Sequence, residues 1–350
     1  MIINAQYNQK LSGKNKIFMG SEFISTKLEV EDKSDHETQE SEGGEAELHK
    51  YLAGCKKNPG HRQFIPIDKF TLKHLPEDLQ DKDLYEYTKV IADLTVRVDV
   101  KITSSERPKF WPYPYLATQP YPFDNMRGRR HFKTGSGKMC YVNKFQSGEM
   151  INKDFAESKY TKCWCRKCQN SDTASNVWWE FYAHTATQLI FDDIEASHTT
   201  LRLFYDRDDS PVVSVAKVSV VDVNTQEDWC KLNCVTCDKN IGNKLMDIWK
   251  RYENVWRKVY NKYFYSRDQH KFTFIVSHPH GCSKQISVGQ WMDKQMIGFS
   301  TRFTYTTCTC PGSSGAHVQC VGYNEGWCYH LVHSGCFKSG LNHSGHDWSF

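Results

Sequence analysis

The feature that most constrains the fold is a series of short β-strand patterns in the last two thirds of the chain. Runs rich in β-branched and aromatic residues alternate there with turns rich in Gly, Asp, Asn and Ser. The runs cover residues 138–144, 178–185, 200–205, 212–223, 272–277, 300–307 and 316–323. Many short strands at this spacing predict a mainly β domain, either a β-sandwich or a pair of β-barrels.

Two segments show helical spacing instead. Between Leu245 and Tyr263, apolar residues recur at steps of three and four, which predicts an amphipathic helix inserted in the β domain. We expect its apolar stripe to pack on the β domain and its basic residues to face solvent. Residues 83–92 also have helical spacing, whereas residues 94–102 alternate apolar and polar residues like a strand.

Composition suggests several boundaries before the β domain. Residues 1–28 form an N-terminal segment, and residues 29–50 are predicted to be an acidic flexible linker, because they contain almost no large apolar side chains. Residues 51–107 are predicted to form a small α+β pre-domain or extension. Residues 108–133 begin with prolines interleaved with aromatics and are predicted to be a linker. The main domain is therefore predicted to cover residues 134–350.

Charge and hydropathy narrow the function classes. The net charge is only +4, and no aromatic-interleaved basic stripe is visible, so a nucleic-acid partner is not expected. No apolar stretch approaches the ~20 residues of a membrane helix, and the first residues lack the apolar core of a signal peptide. We therefore expect a cytoplasmic protein without membrane contact, whose 14 cysteines are reduced thiols or metal ligands.

The sharpest local motif is Cys-Pro-Gly-Ser-Ser-Gly-Ala at residues 310–316. A glycine two residues before a serine permits a tight turn, in which the N–H groups of Gly312 and Ser314 can point at one developing negative charge. Such a turn marks Ser314 as a candidate nucleophile. A plain Gly/Ser turn without chemistry is the alternative interpretation of the same residues.

Further segments follow the order found in one peptidase family. They are the Gly-Ser-Gly strand entry at 134–139, Thr-Ala-Thr-Gln-Leu-Ile-Phe-Asp at 185–192, Glu-Asp-Trp-Cys-Lys-Leu at 227–232, the glycine turn and strand entry at 276–289, and His-Ser-Gly at 333–335. With the serine motif, they resemble trypsin-like serine peptidases, particularly HtrA-type intracellular ones. The resemblance covers about residues 134–350 and implies a chymotrypsin-like double β-barrel with a cleft between the barrels, an inserted helix, and an N-terminal α+β or partly disordered extension.

The same resemblance assigns roles to individual residues. They are Ser314 as nucleophile, Asp228 as the orienting aspartate, Gln188 at the position of the general-base histidine, Gly312 and Ser314 as the oxyanion hole, and His333, Ser334 and Gly335 as the substrate-binding edge. No metal or organic cofactor is needed for this chemistry.

Gln188 departs from the family pattern, which has histidine at this position, and the change has a large chemical consequence. A serine hydroxyl needs a base to accept its proton, and a neutral amide cannot act as one, although it can hydrogen-bond to both neighbours. We therefore predict a catalytically impaired pseudopeptidase that binds peptide or protein segments in the cleft. The alternative is an active serine endopeptidase in which His184, His198 or His280 serves as base.

Clustered cysteines suggest a third class of function. Cys163, Cys165 and Cys168 lie close together in sequence, and Cys234 and Cys237 form a second C-x-x-C group. C-x-x-C spacing suits half of a tetrahedral zinc site, so the two groups are candidates for structural zinc in an interaction protein, with free thiols as the alternative. Cys310 is discounted as a nucleophile because it lies four residues before Ser314 and has no adjacent base.

Overall fold

A computed structural model of the protein describes residues 34–112, 119–151, 160–297, 300–323 and 331–348. The predicted N-terminal segment 1–28, and residues 29–33 of the acidic segment, lie outside the described residues. The strands are β1 (Ser34–His36), β2 (Gln39–Ser41), β3 (Ile65–Pro66), β4 (Thr95–Ile102), β5 (Arg130–Gln146), β6 (Glu149–Met150), β7 (Val177–Thr185), β8 (Thr199–Leu203), β9 (Val213–Val215), β10 (Val218–Asn224), β11 (Trp229–Thr236), β12 (Phe272–Ser277), β13 (Gln285–Ile297), β14 (Ser300–Tyr305), β15 (Val318–Cys320), β16 (His333–Phe337), β17 (Asn342–Ser344) and β18 (Asp347–Trp348). The α-helices are α1 (Leu48–Ala53), α2 (Lys82–Leu94), α3 (Arg166–Gln169), α4 (Asp193–Ser197), α5 (Lys239–Tyr263) and α6 (Arg267–His270).

The strands form two antiparallel sheets. The first sheet has the order β10-β11-β7-β5-β4-β8-β9, and β2 and β6 also pair with β5. The second sheet has the order β1-β16-β17-β14-β13-β12-β15, with β18 on β14 and β3 on β13. The predicted mainly β architecture, consistent with a chymotrypsin-like double barrel, is confirmed, although neither sheet closes.

The inserted helix is confirmed as α5. Its apolar stripe is buried, including Leu245, Trp249 and Tyr252, and it packs against α2 over the first sheet. Asp238 caps the helix by accepting hydrogen bonds from the backbone N–H groups of Asn240 and Ile241, which satisfies two donors of the first turn. The predicted helix at 83–92 and strand at 94–102 correspond to α2 and β4.

The structure differs from the sequence-based domain boundaries. Strand β4 lies between β5 and β8 in the middle of the first sheet, with Val96, Val98 and Val100 fully buried, so residues before 134 belong to the same sheet as those after it. Within the predicted linker at 108–133, β5 already begins at Arg130. The pre-domain is therefore not a separate body, because its strand supplies the partner that β5 requires.

The acidic segment 29–50 also differs from its prediction as a flexible linker, since residues 34–50 contain β1, β2 and the start of α1. It adds one strand to each sheet, because β1 pairs with β16 and β2 pairs with β5. Glu45 pairs with Arg97 and with Arg202, the latter at 3.0 Å. Backbone pairing and ion pairs hold this segment in place. Its low apolar content reveals neither of these interactions.

No helix in the described part of the chain is long and apolar enough to span a membrane.

Candidate functional site

Ser314 lies in a buried loop between β14 and β15, which we call the serine loop (residues 306–317). Gly312 and Gly315 have φ values of +97° and +83°, which favour glycine. A Cβ on Gly312 would approach the carbonyl oxygen of His278 to 2.4 Å, so the turn also needs glycine for space. Ser136, from the Gly-Ser-Gly segment, fixes the loop by donating from its N–H to the carbonyl of Ser314 at 2.8 Å.

Gln188 and Asp228 meet beside this loop, together with Ser334. The Gln188 amide Nε2 donates to Asp228 Oδ2 at 2.8 Å and to the backbone carbonyl of Ser334. The Ser334 hydroxyl donates to the same Asp228 oxygen at 2.5 Å. Because both partners of the amide nitrogen are acceptors, they determine which end of the side chain carries the NH2 group. The other end presents a carbonyl oxygen, which is not a base near neutral pH.

Asp228 sits in a fully enclosed environment. Burial raises its pKa to about 6, even though hydrogen bonds from Ser334, Thr187 and Gln188 stabilise the charged form. Thr187 Oγ1 donates to Asp228 Oδ1 at 2.8 Å, and the Gln188 N–H donates to the same oxygen at 3.2 Å. Asp228 is therefore an acceptor for four donors, and Gln188 supplies two of them.

Residues 34–41, which we call the arm, run past Ser314 in an extended conformation. The carbonyl oxygen of Glu37 accepts hydrogen bonds from the N–H groups of Gly312 at 2.6 Å and Ser314 at 3.2 Å. The Glu37 N–H donates to Ser314 Oγ at 3.1 Å. In β1, Asp35 and His36 face Cys336 and Gly335 of β16. The arm thus uses the two N–H groups and the edge strand that sequence reasoning assigned to substrate.

The Glu37 side chain enters a polar pocket formed by Lys57, Tyr305, Thr309, His333 and Asn342, which we call the glutamate pocket. His333 Nε2 lies 2.6 Å from Glu37 Oε2, and Lys57 Nζ pairs with Glu37 Oε1. Tyr305 supports His333 from behind, with its hydroxyl 2.6 Å from Nδ1. Lys57 also donates to Thr309 Oγ1 at 3.1 Å and Asn342 Oδ1 at 2.8 Å.

The charges in this pocket favour an ionised carboxylate. Burial alone raises the pKa of Glu37, but His333 and Lys57 outweigh it and hold the pKa at about 2. Sequence reasoning missed Glu37 and Lys57. Glu37 is one acidic residue among many in the segment 29–50, and Lys57 lies in a segment without an assigned role. Neither residue belongs to a recognisable motif.

We expect the stabilisation from Glu37 to disappear in acid. Its pKa in the folded protein lies below the ordinary 4.5, so its contribution is fully present above about pH 4.5 and is lost as the pH falls towards 2. The shift corresponds to about 3 kcal/mol. The difference in Tm between the natural protein and Glu37→Gln should stay constant from pH 7 to 5 and shrink below that. Glu42→Gln, at an exposed position, is the control and should show no such change; a constant difference for Glu37→Gln would contradict the expectation.

The histidines considered as alternative bases lie in three different environments. His184 is buried on β7, beside Cys140 and stacked on His317. His198 is exposed and bonds to Ser197 and to the carbonyl of Ile194. His280 is buried with its Nδ1 2.8 Å from Gln39 Oε1, and burial lowers its pKa to about 4. The hydroxyl of Ser314 accepts a hydrogen bond from the Glu37 N–H at 3.1 Å.

Four of the five cysteines proposed for zinc come together. The thiols of Cys163, Cys165, Cys168 and Cys237 all lie within 4.8 Å of one another, at the end of β11. Cys165 Sγ and Cys168 Sγ lie 3.5 and 3.8 Å from Cys237 Sγ. Cys234 is not part of this cluster, because β11 directs it into the hydrophobic core. No cysteine in the described residues forms a disulfide.

Comparison with known proteins finds similarity to solved structures only. No family model and no curated protein matches the sequence. Among solved structures, the chain is similar to the HtrA-type protease AlgW with a decapeptide, at 11% identity and a TM-score of 0.34, over 74% of this chain and 62% of that one. A second AlgW structure, with a tripeptide, has 9% identity and a TM-score of 0.34, over 75% of this chain and 58% of the other. The chain thus spans about 60% of the length of these neighbours.

Proposed function

We propose that the protein is a catalytically impaired homologue of chymotrypsin-fold serine peptidases whose cleft binds extended peptide or protein segments. The observation that carries this proposal is the arm, whose Glu37 carbonyl accepts from the N–H groups of Gly312 and Ser314. Two converging backbone donors of this kind form an oxyanion hole, and here they receive a peptide carbonyl. We therefore assign the oxyanion hole to Gly312 and Ser314, and the substrate edge to residues 333–335, of which Gly335 pairs with His36 of the arm.

The loss of catalysis follows from the chemistry of Gln188. Its NH2 group is directed to Asp228 and Ser334, where a histidine ring nitrogen would normally donate. The amide preserves the hydrogen bonds but provides no base for the Ser314 proton. An intact oxyanion hole without a base favours binding over turnover, because binding needs only the backbone donors and the pocket.

The glutamate pocket defines the class of peptide. A lysine and a buried histidine both point at Glu37, and an uncharged side chain would leave Lys57 without its carboxylate. We propose that ligands carry a glutamate at this position, preceded by residues that pair with β16. In the resting chain, the arm itself is the ligand, so an external segment must displace it.

Peptide binding to a chain with a displaced arm tests the proposal. Glu37→Lys places a cation beside Lys57 and His333 and should expel the arm. A fluorescent peptide copying residues 33–41 is then expected to bind Glu37→Lys at least tenfold more tightly than the natural protein, because the tethered arm competes at an effective concentration of about millimolar. Fluorescence anisotropy measures binding, and mass spectrometry checks that the peptide stays intact.

Two controls make this result specific. Glu42→Lys changes the charge at an exposed position of the same segment and should bind the peptide no better than the natural protein. A peptide with lysine in place of its first glutamate should not bind Glu37→Lys. If no variant bound the peptide while circular dichroism showed folded protein, the cleft would not be a peptide site. Cleavage of the peptide would favour the active endopeptidase instead.

The Cys163, Cys165, Cys168 and Cys237 cluster supports an additional structural role for zinc. Four thiols within 4.8 Å match the donor set of a closed zinc site made only of cysteines, and backbone N–H groups of Cys165 and Ser175 approach Cys163 Sγ and Cys168 Sγ at 3.5 and 3.3 Å. Zinc here would join the loop before β7 to the end of β11. Free thiols and zinc–thiolate sites are both compatible with the cytoplasmic location that we propose.

A further inference from the structure

We propose a second zinc site, formed by Cys55, His61, His280 and Cys310, that fastens the segment following the arm to the serine loop. One ligand atom from each of these side chains lies within 4.8 Å of all the others. Cys55 and His61 follow α1, His280 follows β12, and Cys310 lies two residues before Gly312. Sequence spacing could not reveal this set, because its two halves lie far apart in the chain.

The distances agree with tetrahedral coordination. Zinc bond lengths of about 2.3 Å to sulfur and about 2.05 Å to nitrogen place two sulfurs about 3.8 Å apart, and a sulfur and a nitrogen about 3.6 Å apart. Cys55 Sγ lies 3.6 Å from Cys310 Sγ, and His61 Nε2 lies 3.5 Å from the same sulfur. A disulfide between the two cysteines is not formed, since it requires about 2.05 Å.

The orientation of His280 gives independent support. Its Nδ1 lies 2.8 Å from the side-chain oxygen of Gln39, which can only accept, so Nδ1 carries the proton. Its Nε2 therefore has a free lone pair, is buried, and has no hydrogen-bond partner among the described residues. A buried ring nitrogen without a partner is costly unless a metal occupies it. Fixing one nitrogen by an outer hydrogen bond is how metal-binding histidines are usually oriented.

The surroundings of the two sulfurs suit metal-bound thiolates. Asn58 donates from its side-chain Nδ2 to Cys310 Sγ at 3.1 Å and from its backbone N–H to Cys55 Sγ at 3.4 Å. Such donors stabilise negative charge on a coordinating sulfur. Two thiolates and two imidazoles form a neutral, closed site with zinc, which is the composition of structural rather than catalytic zinc.

The site has a consequence for the cleft, which rests on the proposed peptide-binding function. Lys57, which contacts Glu37 in the glutamate pocket, lies between the ligands Cys55 and His61. Zinc would hold Lys57 in place on one side and the turn at Gly312 on the other. Removal of zinc is therefore expected to loosen the pocket without touching Ser314, Gln188 or Asp228.

Metal analysis of the full-length protein tests the site. The proteins are purified, dialysed against a weak chelator and analysed by inductively coupled plasma mass spectrometry. Cys55→Ser is expected to contain one zinc ion fewer per chain than the natural protein. Cys308→Ser is the matched control, because Cys308 lies two residues from Cys310 but outside the ligand set, and its zinc content should be unchanged. Equal zinc in Cys55→Ser and the natural protein would overturn the proposal.

A second measurement leaves the site itself unchanged. Cys165→Ser combined with Cys168→Ser removes two of the four thiols of the other cluster, and this protein loaded with Co²⁺ should show sulfur-to-cobalt charge-transfer absorption and the intense visible bands of tetrahedral cobalt. Absence of these bands would also overturn the site, even if Cys55→Ser failed to fold. Failure of this proposal can be distinguished from failure of the proposed function. The protein can lack zinc and still bind the peptide, or it can contain zinc and not bind the peptide.

Discussion

Replacing Gln188 with histidine is expected to make the chain cleave itself between Glu37 and Thr38. The Glu37 carbonyl oxygen already accepts from Gly312 and Ser314, and Ser314 Oγ lies 3.1 Å from the Glu37 nitrogen. Under the proposed function, position 188 is the base position, and an imidazole there would keep the contact with Asp228 and present a basic nitrogen to Ser314. A single substitution would then supply the proposed missing base while the arm occupies the cleft.

The reaction would follow the ordinary course of acyl transfer. Ser314 Oγ forms a bond to the Glu37 carbonyl carbon as the imidazole accepts the hydroxyl proton, and the bond to the Thr38 nitrogen breaks as that proton is returned to it. Water then hydrolyses the ester and regenerates Ser314. General-base catalysis contributes on the order of 10²–10⁴, so cleavage absent from the natural protein should become visible within hours.

Mass spectrometry and a chemical probe read out this prediction separately. The Gln188→His protein should lose residues 1–37, whereas Gln188→His combined with Ser314→Ala should stay intact. Because the arm buries Ser314, a fluorophosphonate probe needs the Glu37→Lys background to reach it. Labelling there should require Gln188→His. Labelling of Glu37→Lys alone would favour an active enzyme. If the Gln188→His variants showed neither cleavage nor labelling, position 188 would not be the base position.

Loss of the Glu195 carboxylate is expected to cost about 3–5 kcal/mol of folding free energy. Glu195 is fully buried with Arg107 and Lys133, accepting from Arg107 at 2.6 and 2.7 Å and from Lys133 at 3.2 Å. Glu195→Ala would leave two buried cations without their shared carboxylate, and removing one partner of a buried ion pair is strongly destabilising. Urea unfolding measures the change.

The same cluster supports the candidate site. Arg107 Nη2 donates to the backbone carbonyl of Gln188 at 3.0 Å, so the ion pair holds the segment that carries Gln188. Glu106→Ala, beside it on the surface, is the matched control and should change stability by less than about 0.5 kcal/mol. A loss below about 1 kcal/mol for Glu195→Ala would contradict the inference that the charges depend on one another.

Much of the fold was predictable because it depends on local patterns. Residues 272–277 were predicted as a strand from their β-branched and aromatic content, and they form β12. Helix α5 follows from its three- and four-residue apolar spacing. Local pattern also identified the serine turn, since a glycine is favoured wherever the backbone adopts a positive φ. The grouping of Gln188, Asp228 and Ser334 came from the order of segments in a resemblance.

Domain boundaries were less predictable for a physical reason. Residues 34–50 looked like a linker because they bury few apolar side chains of their own, but backbone pairing with β5 and β16 orders them. Strand β4 looked like part of a separate pre-domain because nothing local reveals its partners. Pairing between distant strands depends on three-dimensional proximity, which composition does not encode.

The sequence by itself determined the mainly β class and the inserted helix, because each depends on residue type or on neighbours within one turn or strand. Only the tertiary structure decided that Glu37 enters the glutamate pocket, and that Cys55 and His61 lie beside His280 and Cys310. Each of these sites joins residues from opposite ends of the chain. Both sites form because residues 34–61 pack against the C-terminal part of the chain, and no short sequence motif encodes that contact.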